Sequence, residues 1–172
     1  MKATSKKTAK KTAKKKSSKK SLKPKVRARR TKPVAGEPRE RRQVAALPYR
    51  KTAAGEIEVL LITSRETGRF IIPKGWPMKR LGDPDAAARE AYEEAGVTGK
   101  VKRKPIGAYS YWKRLAREFE LLTVDVYLLE VREQREEWPE KGSRRLGWLK
   151  QKDAAALVDE PGLRTLIERF RD

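Results

Sequence analysis

The stretch FELLTVDVYLLEV at 119–131 is the feature that most constrains how this chain can fold. Apolar residues occupy consecutive positions in its middle, so a strand formed here must be covered on both faces. Such a strand lies in the centre of a sheet, with other elements packed above and below it. The stretch therefore predicts a layered α/β domain.

Shorter apolar and β-branched runs bounded by turn residues predict five more strands, at 43–49, 57–63, 69–73, 106–112 and 145–149. Gly55 lies in the turn between the first two of these strands. Two helical patterns close the chain, at 152–158 and, after Pro161, at 163–170. Because helices follow only some of the strands, the predicted fold class is α/β with a mixed sheet (α+β) and helices on its faces.

The residue types that are absent restrict the chemistry of this protein. The 172 residues are enough for one domain and an appendage, and they include no cysteine and no histidine. Disulfides, thiol nucleophiles, histidine acid–base catalysis and Cys/His zinc sites are thereby excluded. Catalysis would have to use carboxylates, lysine, arginine, hydroxyl groups or a hard metal ion bound through oxygen. No apolar stretch reaches the length of a membrane span, and no secretory signal is visible, so we predict a soluble, cytoplasmic protein.

The N-terminal segment carries most of the positive charge. Residues 1–33 contain 13 lysines, 3 arginines and no acid, which is +16 of the formal net charge of +21. Low-complexity sequence of this kind cannot bury enough apolar surface to fold. We predict a disordered basic tail and linker over 1–40 and a folded domain over 41–172. The tail would bind nucleic acid, polyphosphate or another acidic surface by releasing counterions, or it serves only solubility.

The sequence DPDAAAREAYEEAG at 83–96 predicts a helix with clear ends. Asp83 is the expected N-cap and Pro84 fits the first helical position. Asp85 complements the positive end of the helix dipole, and Gly96 is a good terminator.

The residues of this helix separate into two sides at about 100° per residue. One side carries three carboxylates and a small neighbour: Glu90, Glu93, Glu94 and Ala86. The opposite side carries small residues that can lie close to a sheet, flanked by an aromatic ring: Ala88, Ala91, Ala95 and Tyr92. The carboxylates form either a solvent-exposed face, on which Arg89 pairs with Glu93, or a site for a hard divalent cation such as magnesium.

The loop before the helix favours the cation site. The sequence IIPKGWPMKRLGDPDAAAREAYEEAG resembles the signature of the Nudix hydrolases: glycine, five residues, glutamate, seven residues, then Arg-Glu-apolar-any-Glu-Glu-any-Gly-apolar. Gly75 is the first glycine, and 89–97 matches the second half at every fixed position. Leu81 stands where the family usually has its loop glutamate, which implies fewer metals or different surrounding groups. The resemblance covers about 40–172.

The resemblance implies an α/β/α sandwich and a hydrolase that cleaves phosphoanhydride bonds with Mg²⁺ or Mn²⁺. It implies that Glu90 and Glu94 bind the metal and that Gly75 offers it a carbonyl oxygen. Glu93 would be the general base for the attacking water or a further ligand. Arg89 would hold the glutamates in place through an ion pair.

The cations around this segment are similar to those of the diphosphoinositol-polyphosphate branch of the family, which also cleaves diadenosine polyphosphates. The similarity rests on RRQVAALPYR, the IPKG loop and EEWPEKGSRRLGWLKQKDAAALV. It implies phosphate contacts from Arg42, Arg50, Arg65, Arg69, Lys74, and Lys113 or Arg114. The expected substrate is therefore a phosphate-rich small molecule.

Several assignments stay open in the sequence alone. Four aromatic residues could stack a base or belong to the core and sheet surface: Trp76, Tyr109, Tyr111 and Trp112. Asp125 is either a further metal ligand or a carboxylate satisfied by another partner. The domain could also sense a nucleotide without cleaving it, or the protein could act only as a polyanion-binding protein. The intact set of three glutamates argues against a sensor, because a sensor has no need of a general base.

Overall fold

The computed structural model describes residues 41–114 and 118–172, so the tail predicted over 1–40 lies outside the described residues. The elements follow in chain order: β1 (Arg41–Lys51), β2 (Ile57–Thr63), β3 (Phe70–Ile71), β4 (Lys74–Gly75), α1 (Asp83–Ala95), β5 (Val97–Val101), β6 (Gly107–Arg114), β7 (Phe119–Gln134), β8 (Leu146–Lys150), α2 (Gln151–Leu157) and α3 (Pro161–Arg169). No helix within these two ranges is long and apolar enough to cross a membrane.

The described strands form one mixed sheet of eight strands, whose main order is β3-β2-β1-β7-β5. β7 is central, as its apolar middle predicts: it pairs in parallel with β1 on one side and antiparallel with β5 and β6 on the other. β4 adds to β1 and β8 adds to β2, both antiparallel. The combination of parallel and antiparallel pairs confirms the predicted mixed sheet.

Helices cover both faces of this sheet. The alternation along β1 shows the two layers, because Val44 and Ala46 belong to the core beneath α1. Ala45 and Leu47 belong instead to the core beneath α2 and α3. The apolar side chains of β1 are therefore buried on both faces, as in a three-layer α/β/α sandwich. The predicted fold class is confirmed.

Two short strands, β4 and β5, are not predicted by the sequence. β5 reads VTGKV, in which a glycine and a lysine interrupt the apolar pattern. Gly99 is required there, because a Cβ at this position would collide with the carbonyl oxygen of Glu130 on β7. The pairing of β5 with β7 also shifts register between Thr98 and Gly99. Close approach of two backbones, rather than strand propensity, places this segment in the sheet.

The ends of α1 agree only in part with prediction. Gly96 ends the helix in the left-handed conformation, with φ of 70°, as expected. Pro84 lies in the first turn. The prediction of Asp83 as N-cap is wrong, because Gly82 occupies that position and no side chain caps the helix. The Asp83 carboxylate instead forms an ion pair with Arg42, with 2.8 Å between Nη2 of Arg42 and Oδ2 of Asp83.

The side of α1 that faces the sheet differs from the predicted side. The fully buried alanines are Ala86, Ala87, Ala91 and Ala95. Ala88, predicted to face the sheet, is only partly buried, and Ala86, predicted to lie with the glutamates, is in the core. The reason is that Pro84 is also buried, so the packed side follows 84, 87, 91 and 95 at helical spacing. This rotation moves Glu94 to the edge of the buried side, where it is 7% exposed.

Candidate active site

Glu94 is held from two sides. Its Oε2 accepts a hydrogen bond from the backbone N–H of Lys74 in β4, at 3.1 Å. Its Oε1 accepts an ion-paired hydrogen bond from Arg144 Nη2. Burial raises the pKa of Glu94, while Arg144 and the Lys74 N–H act in the opposite direction. The carboxylate is thus fixed between α1, β4 and the segment that precedes β8.

Glu90 lies one helical turn before Glu94 and differs from it in lacking a cationic partner. Within the described residues no lysine or arginine is at ion-pair distance from Glu90. Burial, followed by the charges of Glu94, Glu93 and Glu140, raises the pKa of Glu90 to about 7. Its carboxylate lies against Gly75, where an added Cβ would overlap the Glu90 side chain. Gly75 therefore leaves the space that Glu90 occupies.

Glu93 lies outside the group of side chains that line the cavity beside Glu90 and Glu94. It pairs with Arg89 Nε at 2.5 Å on the same helix, and Arg89 also lies 5.7 Å from the ring centroid of Tyr92. The structure thus contains the Arg89–Glu93 pair but does not bring all three glutamates to one point. Both side chains of the pair are partly exposed, so the interaction is a weak one.

The segment 135–145 between β7 and β8 supplies two site residues that the sequence analysis did not assign. Glu140 lines the cavity, and Arg144 is only 5% exposed in its side chain. Arg144 donates from Nε to Glu140 at 3.2 Å and from Nη1 to the carbonyl of Thr63 at 3.1 Å. No spacing rule links Arg144 to Glu94, because the two are 50 residues apart. The sequence signal that could have pointed to Arg144 is the pair of arginines at 144 and 145, which follows a segment rich in glutamate.

Backbone contacts dock this segment on the end of α1. The N–H of Glu140 donates to the carbonyl of Glu93 at 3.1 Å, and that of Arg135 donates to the carbonyl of Gly96 at 2.8 Å. The ring of Trp138 covers Gly96 so closely that a Cβ there would overlap it. Gly96 therefore ends the helix and, because it lacks a Cβ, leaves room for the segment 135–145 to pack against the helix end.

A cavity of about 460 Å³ joins these carboxylates to a set of cations. Of the predicted substrate contacts, five line it: Arg65, Arg69, Lys74, Lys113 and Arg114. Lys74, Lys113 and Arg114 have no carboxylate at ion-pair distance within the described residues, whereas Arg69 pairs with Glu160 at 3.1 Å. Burial is the main cause that lowers the pKa of Lys74. The cavity therefore offers partly desolvated positive charge next to acidic groups.

Two predicted substrate contacts, Arg42 and Arg50, do not line this cavity. Arg42 pairs with Asp125 on β7 and with Asp83 at the start of α1, so it ties these elements to β1. Arg50 pairs with Glu58 on the neighbouring strand at 2.7 Å. Both guanidinium groups are occupied by carboxylates close to them in the sheet. Asp125 is likewise satisfied by Arg42, and it is not a cavity residue.

The four aromatic residues divide between core and cavity. Tyr109 is 4% exposed and belongs to the core beneath α2 and α3. Tyr111 lines the cavity and donates its hydroxyl hydrogen to Gln43 at 2.8 Å. Trp76 and Trp112 also line it and remain 41% and 63% exposed. The last two present exposed ring surface at the cavity, and Arg41 and Lys113 lie 5.9 Å and 5.5 Å from the ring centroid of Trp76.

The sequence profile of the NUDIX domain matches residues 39–170. The chain belongs to the Nudix family. The match spans most of the chain and contains α1, its preceding loop and every cavity residue. The resemblance drawn from the loop and the helix is therefore confirmed at the level of the family.

Several curated Nudix proteins are similar to this chain. Nudix hydrolase 21, chloroplastic, of Arabidopsis thaliana is 35% identical over 76% of this chain and 66% of its own length. Nudix hydrolase 12, mitochondrial, of the same plant is 31% identical over 72% of this chain and 69% of its own. Diphosphoinositol polyphosphate phosphohydrolase 2 of Rattus norvegicus is 34% identical over 76% of this chain and 71% of its own length. The matches span about two thirds of these relatives.

Solved structures share the Nudix fold. The Ap4A hydrolase of C. elegans superposes with a TM-score of 0.54, covering 74% of this chain and 93% of its own at 20% identity. The dihydroneopterin triphosphate pyrophosphohydrolase of E. coli superposes with a TM-score of 0.57, covering 75% of this chain and 93% of its own at 18% identity. At these identities the agreement concerns the fold alone.

Nudix hydrolases generally use divalent metal ions, and the side chains of this site fit one in their chemistry. Glu90 is a carboxylate in the cavity that has no lysine or arginine at ion-pair distance within the described residues, and its pKa is raised by burial and by three neighbouring carboxylates. Hard divalent cations prefer such oxygen ligands. Within 41–114 and 118–172, however, no group of three acidic side chains is arranged to enclose a metal at once. Among the described carboxylates that line the cavity, Glu90 and Glu94 lie one helical turn apart on α1, which makes them the natural pair for a shared metal ion.

Proposed function

We propose that this chain hydrolyses phosphoanhydride bonds in phosphate-dense substrates, namely diphosphoinositol polyphosphates or dinucleoside polyphosphates, with Mg²⁺ or Mn²⁺. The single observation that carries the proposal is the cavity, which is lined both by Glu90 and Glu94 and by cations that have no carboxylate partner among the described residues. Phosphoryl transfer requires positioning and charge neutralisation more than covalent chemistry. A site that combines acidic and basic groups in this way supports that reaction.

In the proposed site Glu90 and Glu94 would hold the metal, with the carbonyl of Gly75 beside them. The metal, when bound, would neutralise phosphate charge and polarise water. Glu93 would accept the proton of the attacking water at its carboxylate. It would have to turn from Arg89, and because their pair is partly exposed this costs little. Arg89 would position Glu93 through this ion pair until that turn.

The cations of the cavity support a substrate with many phosphates. Six cations line the cavity, and three of them, Lys74, Lys113 and Arg114, have no carboxylate partner among the described residues. A multiply charged ligand gains from each such contact. Trp76 and Trp112 add exposed ring surface at the same cavity, which suits a dinucleoside polyphosphate as well as an inositol pyrophosphate.

A panel of substrates tests the proposal. We expect kcat/KM to be higher for inositol pyrophosphates or dinucleoside polyphosphates than for ADP-ribose or NADH, and to fall as salt is raised, because phosphate contacts are screened. Phosphate release and chromatography of products, with Mg²⁺ or Mn²⁺, measure both. A preference for ADP-ribose that is insensitive to salt would contradict the substrate class. Binding without turnover of any compound would instead indicate the nucleotide sensor.

The basic tail is proposed to bind polyanions and to be dispensable for hydrolysis. Deletion of residues 1–33 removes 13 lysines and 3 arginines but none of the cavity residues. We expect turnover of small substrates to stay within about threefold, while salt-sensitive binding to DNA, RNA or polyphosphate is lost. Fluorescence anisotropy at two salt concentrations measures that binding. Equal binding by the shortened chain would remove the role proposed for the tail.

A cytoplasmic location is also part of the proposal. The names of several relatives place those proteins in chloroplasts or mitochondria, so the location of this chain has to be measured directly. Microscopy of the fluorescently labelled full chain decides it.

A further inference from the structure

Arg144 is a nearly buried cation of the site, and its contacts cross three parts of the fold. Its guanidinium binds Glu94 on α1, Glu140 in the segment 135–145 and the carbonyl of Thr63 at the end of β2. The side chain is 5% exposed. Three contacts leave the group no freedom to serve as an ordinary surface charge.

The charges around Arg144 show what it neutralises. Within the described residues Arg144 is the sole cation at ion-pair distance from Glu94. Glu140 has one other cation near it, Arg65 at 3.6 Å. Glu90, one turn before Glu94 on α1, has no cation at ion-pair distance within the described residues. A single guanidinium therefore compensates Glu94, which is 7% exposed, and also pairs with Glu140.

We propose that Arg144 is the counter-cation of Glu94 and Glu140. Its guanidinium holds Glu94 in place in the metal-free protein and competes with the metal for the Glu94 carboxylate. The inference rests on the metal site of the proposed function. It makes Arg144 a positioning residue, because the guanidinium acts through Glu94 and Glu140.

The physical reason lies in the balance of charge. A buried carboxylate without a partner is costly, so the metal-free site needs a cation at Glu94. A divalent ion brings more charge to the same oxygen atoms and must share them with, or take them from, Arg144. The bond from Arg144 to the Thr63 carbonyl keeps the guanidinium close to Glu94, and Glu140 gives it a second carboxylate. Removal of Arg144 should thus weaken the metal-free fold and strengthen metal binding.

The test compares Arg144→Gln with Arg145→Gln in the full chain. Arg145 is the neighbouring arginine, its side chain is exposed, and no ion pair of it occurs within the described residues. Isothermal titration with MnCl₂ or MgCl₂ alone at pH 8 gives the metal Kd, and thermal unfolding in EDTA gives the metal-free Tm. For Arg144→Gln we expect Kd to fall on the order of tenfold, because one competing charge is lost. We expect the Tm in EDTA to fall by about 5–10 °C. Arg145→Gln should change neither.

If Arg144 served stability alone, Arg144→Gln would have a lower Tm but no higher affinity for the metal. A metal Kd that is unchanged or higher in Arg144→Gln therefore overturns the inference. Arg144→Lys keeps the charge but loses the forked geometry, and its Kd should lie between those of the native chain and Arg144→Gln. A weaker metal affinity in Arg144→Lys than in the native chain also overturns it, even if Arg144→Gln does not fold. Failure of the native chain to bind either metal would refute the proposed metal site and this inference together. Metal binding by the native chain that is weaker in Arg144→Gln and Arg144→Lys would refute the inference alone.

Discussion

Replacement of Glu93 by glutamine is expected to lower kcat by about two to four orders of magnitude, the usual contribution of a general base. The amide keeps the size of the side chain but cannot accept the proton of the attacking water. Metal affinity should change little, and thermal stability should barely change, because the Arg89–Glu93 pair is partly exposed. Single-turnover hydrolysis and metal titration measure the two effects separately.

Glu90→Gln and Glu94→Gln provide the comparison, since both residues line the cavity. Each should weaken metal binding and be partly restored by excess Mn²⁺. Glu94→Gln should also destabilise the fold, because Arg144 and the Lys74 N–H lose a charged acceptor. Glu90→Gln should not destabilise it, because the change removes one of several crowded negative charges.

The outcomes distinguish the roles of the three residues. A loss of turnover in Glu90→Gln that no metal concentration restores, together with a mild effect of Glu93→Gln, would transfer the proton-accepting role to Glu90. Unchanged hydrolysis in all three variants would mean that this side of α1 takes no part in catalysis.

Replacement of Lys74 by glutamine is expected to lower kcat/KM for a phosphate-dense substrate by about 10- to 100-fold, the ratio set by losing one bond to a charged group. The Lys74 side chain lines the cavity, has no carboxylate partner in the described residues, and its ammonium group lies 5.5 Å from the ring centroid of Tyr111. Its backbone N–H, which binds Glu94, is unaffected by the substitution. Folding stability should not fall, because burial already disfavours the charged form and lowers the pKa of Lys74.

Arg50→Gln is the matched control. It removes the same charge from the same sheet, but Arg50 pairs with Glu58 and lies outside the cavity lining. Its kcat/KM should stay within about twofold of the native value, and the salt dependence of hydrolysis should decrease only for Lys74→Gln. An equal loss in both variants would mean that the net charge of the domain steers the substrate and that Lys74 makes no contact with it.

The local pattern of the sequence accounts for much of the fold. The central position of β7, the mixed sheet, and helices over both faces follow from runs of apolar residues and their spacing. The two short strands escape prediction because β4 has two residues and β5 depends on the close approach of Gly99 to Glu130. Pairing with a distant strand decides both, and no local signal reports it.

The glutamates of α1 were identifiable because helical spacing is a local property: residues three and four apart share a side of any helix. Which of them enters the cavity was not identifiable, since it depends on how α1 is rotated on the sheet. Pro84 and Ala87 are buried, so Glu94 turns inward and Glu93 outward. A rotation of the helix about its axis changes no spacing in the sequence.

The sequence by itself determined the family, the acidic helix, the requirement for oxygen ligands and the supply of cations. The tertiary structure alone decided which cations serve the cavity and which are satisfied elsewhere. Arg42 and Arg65 are the same residue type in similarly basic surroundings, yet Arg42 is paired with Asp83 and Asp125 while Arg65 lines the cavity. Arg144 reaches Glu94 only because Trp138 and the Glu140 N–H dock its segment on the end of α1. Contacts between residues far apart in the chain depend on the path of the backbone through the sheet, and that path is a property of the whole fold.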